Sequence, residues 1–359
     1  MAHEMERFDH AVFGDNKAAW HGLGTVVEGN PTSAEAIRIA QLDWPVHKEP
    51  LYVEGAEGGR MAVPNWCATV RGDLPKDEPL RVLGCVTKRY EVIQNAHAFS
   101  ILDELSGEGG ARIETAGSIR NGKIVYMTAI LPEVTRVVDD TVCRYLLLTT
   151  AHDGTRSVQV LFTPVRVVCS NTLHWALGLS KNRASIVHTG NTRVKIEEAK
   201  RVLGLASTYF EVHADTANKL AHETLDDRFV GAYLRALWPD QPTDIGTTKS
   251  ENVRNRVREL YRGAQKGGGM VAVKGTAWGL VNAVSEYTDH ERTVRATNGR
   301  DVDEARFETV NLGHASQFKM RAMGLLTRAL KAVGRDIGVT VPSDTTDEVA
   351  AQFAVVGSN

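Results

Sequence analysis

Basic side chains that could bind the phosphates of a nucleic acid fall into three clusters in the second half of the chain. Lys and Arg neutralise backbone phosphates without reading the base sequence. The candidate DNA-binding residues are Lys181, Arg183, Arg193, Lys195, Arg254, Arg258, Arg262, Lys266, Lys274, Lys319 and Arg321. Each cluster alone is better explained as the solvated face of an amphipathic helix. Three such clusters occur in succession and are interleaved with Tyr261, Trp278 and Tyr287. Nucleic-acid binding is therefore as good an explanation of the three together as solvated helix faces are.

The net charge of −2 conceals an uneven distribution along the chain. Residues 1–150 have 15 basic and 21 acidic side chains, whereas residues 151–335 have 27 basic and 19 acidic ones. The last 24 residues contain four acids and no Lys or Arg, which is typical of a solvated tail. A basic region in a chain of nearly neutral total charge indicates one face directed toward a polyanion.

The second basic cluster permits the most specific prediction. A helix over Ser250–Arg262 would place three arginines one turn apart on one face. These arginines are Arg254, Arg258 and Arg262. The residues expected to face the core are Val253, Val257, Leu260 and Tyr261. The glycine loop that follows would bring Lys266 and Lys274 to the same DNA strand. A solvated face is an equally good alternative, because the helix also contains two glutamates.

Two glycine-rich segments do not match nucleotide-binding motifs. The phosphate-binding loop requires Gly-Lys-Ser/Thr at a helix start, but the order here is Lys274-Gly275-Thr276. Gly22-Leu23-Gly24 follows Trp20-His21 rather than a hydrophobic strand, so the dinucleotide fingerprint is absent. We therefore expect no nucleotide cofactor, and we interpret the segment before Thr276 as a mobile basic loop.

Two clusters resemble catalytic sites but fit structural roles better. His152-Asp153 lies at an expected turn, where adjacent side chains point to opposite faces and Asp is a common turn residue. Tyr287, Asp289 and His290 indicate a helix C-terminus with compensating charges, the alternative being a metal or acid–base site. A nuclease would need a second set of paired carboxylates. We expect no catalytic residue and no metal, so an enzyme is the less favoured class.

The four cysteines, Cys67, Cys85, Cys143 and Cys169, have no CxxC spacing. No histidine stands at a zinc-finger interval from them, so structural zinc is not expected. Because three of them lie in apolar, strand-like contexts, we expect reduced thiols packed as small hydrophobic side chains.

Two hairpins predict an antiparallel sheet in the middle of the chain. The four β-rich runs are Ala111–Arg120, Lys123–Leu131, Val142–Ala151 and Thr155–Thr163. Asn121-Gly122 joins the first pair and Asp153-Gly154 the second, and both dipeptides favour tight turns because their residues tolerate positive φ. Pro164 is expected to end the last regular strand. The predicted fold class is α+β, an antiparallel β-meander with flanking helices in a β-β-β-α-like core.

Helices are expected before and after this sheet. A capping box at Thr32–Glu35 begins an early helix, and a second helix covers Asn95–Leu105. Asn171 is expected to cap a helix that follows the sheet. Later helices are predicted near 192–210, 226–238, 250–262, 276–287 and 314–332. We divide the chain into an α+β domain at 1–190, a mostly helical basic region at 191–335 and an acidic tail at 336–359.

The composition is that of a soluble globular protein, with 42% hydrophobic and 24% charged residues among 359. The chain has no run of 18 apolar residues, and its acidic, polar amino terminus does not resemble a signal peptide. We expect a cytoplasmic protein that does not enter a membrane.

Three segments resemble a known family. They are Trp20-His21-Gly22-Leu23-Gly24, Pro164–Leu173, and Trp278–Ala283 with Tyr287–His290. Together they resemble the phage/plasmid-like proteins within the domain of unknown function DUF932, over nearly the whole chain. The family has no assigned activity, so it identifies no site residue. The resemblance implies a phage or mobile-element protein in the host cytoplasm, with a role in replication, recombination or evasion of host defence.

The order of two hairpins, a helix and basic helical material is similar to the architecture of single-strand annealing proteins. Such a protein binds the phosphates of single-stranded DNA and leaves the base edges available for pairing. We therefore expect single-stranded DNA as the partner of a homo-oligomer, a ring or a filament, that promotes annealing and recombination without a catalytic group. The alternative is a phage inhibitor that binds a host or defence protein, and a nucleic-acid-processing enzyme is third.

Overall fold

The computed structural model describes residues 25–27, 29–55, 58–138, 140–166, 183–185, 192–263, 273–296 and 301–338. The strands are β1 (Thr25–Val26), β2 (Val46–Glu54), β3 (Arg60–Arg71), β4 (Val82–Thr87), β5 (Arg112–Ile119), β6 (Ile124–Val137), β7 (Asp140–Ala151), β8 (Gln159–Arg166) and β9 (Arg183–Ser185). The helices are α1 (Ser33–Ile39), α2 (Asn95–Phe99), α3 (Ile101–Gly109), α4 (Thr192–His222), α5 (Asp227–Leu237), α6 (Asp244–Tyr261), α7 (Ala277–Glu286), α8 (Val302–Leu312) and α9 (His314–Ala332). A π-helical turn, Tyr287–Glu291, continues α7. The fold class is α+β, as the sequence predicts.

The central sheet has the strand order β1-β5-β6-β7-β8-β9. Strands β5 to β8 are neighbours in chain order and pair antiparallel, so the predicted meander is confirmed. Strand β8 does not end at Pro164, which pairs with Arg144 of β7. Strand β9 pairs only with the first residues of β8, Gln159 to Leu161. Within the described ranges, Pro164 therefore has a strand on one side only, which a residue without an amide hydrogen tolerates.

The first hairpin turn has the positive φ values that its sequence predicts, whereas the second connection, residues 152–158, is longer than the predicted two-residue turn and has a positive φ at Gly154 but not at Asp153. Asn121 and Gly122 have φ values of 56° and 88°, and Gly154 has a φ of 78°. Asp153 accepts hydrogen bonds from the amide and the hydroxyl of Thr155, so its carboxylate stabilises the turn. Because alternate turns of a meander lie at the same end of the sheet, these two turns are close in space.

A second antiparallel sheet, in the order β2-β3-β4, is not predicted by the sequence. Strand β3 contains Pro64 and Asn65, and Asn65 has a positive φ of 63°. The pairing of β2 with β3 shifts register at this point, so the alternation of side chains that indicates a strand is interrupted. The hairpin of β2 and β3 also exposes large apolar side chains, namely Tyr52, Val53, Met61 and Trp66.

One hydrophobic core joins the central sheet to the helices. The long helix α4 packs against α3, β6 and β8 and contributes Phe210 to this core. Helix α8 covers the opposite face of the sheet, where the rings of Phe307 and Tyr126 are 4.4 Å apart. The sheet and the later helices thus share buried surface, and the domain boundary near residue 190 stays a prediction.

Most of the predicted helices are confirmed. Thr32 and Glu35 form the capping box of α1, and α9 has the predicted bounds. The expected helix at Asn95–Leu105 is divided into α2 and α3. Helix α8 is not predicted, because it buries polar residues such as Glu308 and lacks an apolar stripe. The helix expected after Asn171 lies outside the described residues.

The cysteines agree in part with the expectation of core thiols. Cys67 and Cys143 are buried, whereas Cys85 is exposed, and Cys169 lies outside the described residues. Burial raises the pKa of the Cys143 thiol to about 11, so this residue remains a neutral thiol.

Two buried histidines link stability to pH. His152 donates from Nε2 to Asn95 Oδ1 over 2.8 Å, since the Asn95 side-chain nitrogen donates to the Leu42 carbonyl. Burial lowers the pKa of His152 to about 4 and that of His213 to about 3. An unfolded histidine titrates near pH 6.5, so the unfolded chain binds more protons than the native protein below that pH. This contribution to stability is fully present above pH 6.5 and is lost as the pH falls toward 4.

We expect the free energy of unfolding to fall by about 2 kcal/mol per buried histidine between pH 6.5 and pH 5. Urea denaturation at several pH values measures this loss. The His213→Phe variant removes one of the two titrating groups and should therefore lose less stability than the parent over the same interval. An identical pH dependence in the parent and the variant would contradict the assignment of His213.

Candidate functional site

The first basic cluster is divided between two elements. Arg183 lies in β9, at the end of the sheet order, whereas Arg193 and Lys195 lie in the first turn of α4. Lys181, and Lys266 of the second cluster, lie outside the described residues.

The second basic cluster does not form one exposed face. Arg254 is buried, and its guanidinium binds the Trp238 carbonyl at 2.8 Å and Asp240 at 2.7 Å. The last carbonyl groups of a helix need donors from outside the helix, and Arg254 supplies one at the end of α5. The expectation that Arg254 shares an exposed face with Arg258 and Arg262 is therefore wrong.

The remaining arginines of α6, and Arg262 directly after it, bind side chains of the protein. Arg256 binds both oxygens of Glu291 at 2.7 Å, Arg262 binds Asp227 at 3.0 Å, and Arg258 binds the amide oxygen of Asn255 at 2.8 Å. Of the residues predicted to face the core, Val257, Leu260 and Tyr261 are buried and Val253 is half-buried. Lys274, between the glycine loop and α7, is exposed.

The third basic cluster contains a buried ion pair. The Lys319 side chain is fully buried, and its Nζ donates to both carboxylate oxygens of Asp289, at 2.7 and 2.8 Å. Burial lowers the pKa of the Lys319 ammonium, and the charge of Asp289 opposes this shift. Lys319 is therefore not available to a ligand at the surface. Arg321, two residues further along α9, is exposed.

The polar cluster after α7 is held by charges from other helices. Asp289 is in the π-helical turn and pairs with Lys319 of α9, and the Asp289 carbonyl accepts from Arg306 of α8. Glu291 in the same turn pairs with Arg256 of α6. The compensating charges that the sequence predicts are thus present, but they belong to three neighbouring helices. Within the described ranges, no group of three or more His, Cys, Asp or Glu side chains is arranged to bind a metal.

An arginine-lined cavity of about 530 Å³ lies where the sheet meets the last helices. Its walls come from the two hairpin turns of the meander, the segment 292–295 that follows the π-helical turn, and the junction of α8 with α9. Among the described residues, the charged side chains that line it are Arg120, Arg156, Arg292, Arg295 and Glu308. We refer to this feature as the arginine cavity.

Arg120 is held rigidly at the tip of the first hairpin. Its φ of 54° lies in the left-handed region, which costs a residue with a side chain about 1–2 kcal/mol. Its amide donates to Glu304, and its guanidinium pairs with Glu308, with the Nε to Oε2 distance at 2.8 Å. Helix α8 therefore fixes both the backbone and the side chain of Arg120.

Two other arginines of the cavity have no carboxylate partner in the described part of the chain. Arg292 and Arg295 are exposed, and neither forms an ion pair with any residue that the structure describes. The guanidinium carbon of Arg292 lies 5.9 Å from the centre of the Phe318 ring, and that of Arg321 lies 5.7 Å from the same ring. Outside the cavity, Arg321 therefore adds a further exposed positive charge on the surface of α9.

The fourth arginine lies beside the start of α9. Arg156 donates to the carbonyl of Leu312, the last residue of α8, at 3.4 Å. Helix α9 begins immediately afterwards, and Gly313 supplies no side-chain cap for its first amides. A helix start adds a partial positive charge to that of the arginines. Among the described residues, four guanidiniums and one carboxylate line the cavity with a net charge of +3, so it is suited to bind an anion.

None of the sequence candidates that lie within the described residues lines this cavity. The two arginines at the hairpin tips could have been found, because Arg120 and Arg156 adjoin two turns that a meander places at one end of the sheet. The arrival of residues 292–295 at the same place depends on the packing of α8 and α9, for which the sequence shows no local pattern.

The chain belongs to a family defined by a domain rather than by an activity. Residues 82–310 match the family model described as "Domain of unknown function (DUF932)", so the chain is a member of this family. The matched residues include both hairpins and all four arginines of the cavity, whereas the Trp20-His21 motif lies before them. No curated protein and no solved structure matches the chain. Among the described helices, none combines the length and the apolar composition needed to cross a membrane.

Proposed function

We propose that the protein binds single-stranded DNA by its phosphates and promotes annealing without a catalytic group. The arginine cavity is the observation that supports this proposal most strongly. Guanidinium groups form charge-assisted, bidentate hydrogen bonds with phosphate oxygens, and Arg is suited to this recognition by its planar fork. Two of the four cavity arginines are exposed and have no carboxylate partner in the described part of the chain.

Basic side chains near the cavity could bind further phosphates of the same DNA strand. Arg321 and Arg292 both lie near the Phe318 ring, and Arg321 is exposed on α9. By contrast, α6 has most of its arginines bound to acids, so we assign it a structural role. The path for DNA in this proposal therefore begins at the cavity and follows α9.

A role on phage or plasmid DNA is part of this proposal, and the architecture is compatible with it. An antiparallel meander beside basic helices is similar to the β-β-β-α arrangement of annealing proteins, although fold alone does not define function. In this proposal the protein acts in the host cytoplasm as a homo-oligomer, because a long strand must be followed by repeated copies of a short binding site.

A second candidate function has a specific observation in its favour. The hairpin of β2 and β3 exposes Val53 (48%) and Met61 (59%), which are paired across the two strands and form an apolar surface that fits a protein partner. A phage inhibitor of a host or defence protein would use such a surface. Its binding would depend little on salt, whereas phosphate binding weakens steeply as salt increases.

The experiment that tests the proposal is a gel shift with labelled single-stranded and double-stranded DNA, together with light scattering. We expect the protein to bind single-stranded DNA in preference, to form oligomers, and to accelerate the pairing of two complementary strands. The absence of single-stranded DNA binding at about 50 mM salt, where phosphate contacts are strong, would end the proposal.

A further inference from the structure

We propose that the arginine cavity binds the terminal phosphate monoester of a DNA strand, so that the protein recognises strand ends. This inference rests on the proposed function and specifies which part of the strand enters the cavity. The DNA beyond the terminal nucleotide would lie on the surface near Arg321.

The charge of the cavity fits a monoester better than an internal phosphodiester. A phosphate monoester has a charge of about −1.5 to −2 at pH 7, whereas each internal phosphate of a strand has a charge of about −1. The lining side chains that the structure describes have a net charge of +3 within a cavity of about 530 Å³. A dianionic group therefore neutralises more of this positive charge than one internal phosphate does.

The arrangement of the arginines also fits a strand end. A protein that follows an internal stretch of strand needs cations along a line, in a groove open at both ends. Here Arg120 and Arg156 extend from two hairpin turns, and Arg292 and Arg295 come from the opposite, helical side. The four arginines therefore surround one volume, whose size is within the range of about 300–1,000 Å³ that is typical of small-ligand pockets.

The start of α9 provides further donors for the same group. His314 and Ala315 line the cavity in the first turn of α9, whose cap residue Gly313 has no side chain. Backbone amides in the first turn of a helix are common partners of phosphate oxygens. Arg156 binds the Leu312 carbonyl next to this turn, which places a guanidinium close to these amides.

The test compares four forms of one single-stranded oligonucleotide by fluorescence anisotropy. The forms have a free terminal phosphate, a hydroxyl terminus, a terminal phosphate esterified with a propyl group, or no terminus because the strand is circular. We expect the free phosphate to increase affinity about tenfold or more over the other three. Phosphates at the 5′ and the 3′ end are tested separately to show which end is bound. The Arg292→Gln/Arg295→Gln variant should lose the preference, and the control Arg235→Gln, an exposed arginine of α5, should keep it.

The outcomes separate this inference from the function on which it rests. Equal affinity for all four forms would overturn the recognition of strand ends and leave single-stranded DNA binding intact. A preference that persists in the Arg292→Gln/Arg295→Gln variant would also overturn it, because the terminal phosphate would then bind elsewhere. Failure to bind any of the four forms would overturn the proposed function itself.

Discussion

Replacing Lys319 by Met is expected to lower the free energy of unfolding by about 3–5 kcal/mol. The Lys319 ammonium and the Asp289 carboxylate are both buried, and Nζ lies within 2.8 Å of both carboxylate oxygens. The variant leaves the carboxylate in the interior without its counter-charge. Asp289 is in the π-helical turn that precedes segment 292–295, so the loss should also loosen this wall of the arginine cavity.

Urea denaturation at pH 7 measures this effect. Lys331→Met is the matched control, because it makes the same substitution on the same helix at a side chain that is 72% exposed. We expect the control to change stability by less than about 1 kcal/mol. A double variant, Lys319→Met with Asp289→Leu, should recover part of the loss, since neither charge remains buried. Equal stabilities for Lys319→Met and the parent would contradict the account of this ion pair.

The second large effect is on DNA binding. The Arg292→Gln/Arg295→Gln variant is expected to bind single-stranded DNA about 10–100-fold more weakly at moderate salt, because two charge-assisted phosphate contacts are removed. The slope of log K against log salt should become shallower by about one to two units. Neither arginine forms an ion pair in the described part of the chain, so the variant should fold as the parent does.

Anisotropy titrations at four or five salt concentrations give both quantities. The control Arg262→Gln removes an exposed arginine, directly after α6, that is bound to Asp227. Its affinity and salt slope should remain close to those of the parent. If Arg262→Gln weakens binding and the cavity variant does not, the strand follows α6, as the sequence alone suggests.

The central sheet and most helices are evident in the sequence because their signals are local. Asn121-Gly122 specifies a tight turn, Asp153-Gly154 marks the longer connection between β7 and β8, and the apolar periodicity of α9 defines a helix with the observed bounds. The sheet of β2, β3 and β4 escapes prediction because the irregular backbone near Asn65 interrupts its alternation. Helix α8 escapes prediction because its side toward Arg120 is acidic rather than apolar.

The candidate site is less accessible to sequence reasoning than the fold. A run of basic residues on a helix reveals neither whether a side chain is buried nor whether an acid from another helix neutralises it. Lys319 and Arg254 are examples, since their partners Asp289 and Asp240 lie 30 and 14 residues away in the chain. The arginine cavity joins residues near positions 120, 156 and 292–295, and only the tertiary packing brings these together.

Arginine modification with phenylglyoxal, read by mass spectrometry with and without single-stranded DNA, tests the central claim most directly. Without DNA, the exposed arginines Arg235, Arg262, Arg292 and Arg295 should all react. We predict that DNA protects Arg292 and Arg295 and leaves Arg235 and Arg262 as reactive as before. Protection of Arg262 with continued reaction of Arg292 and Arg295 would contradict the claim that the arginine cavity binds the DNA phosphates.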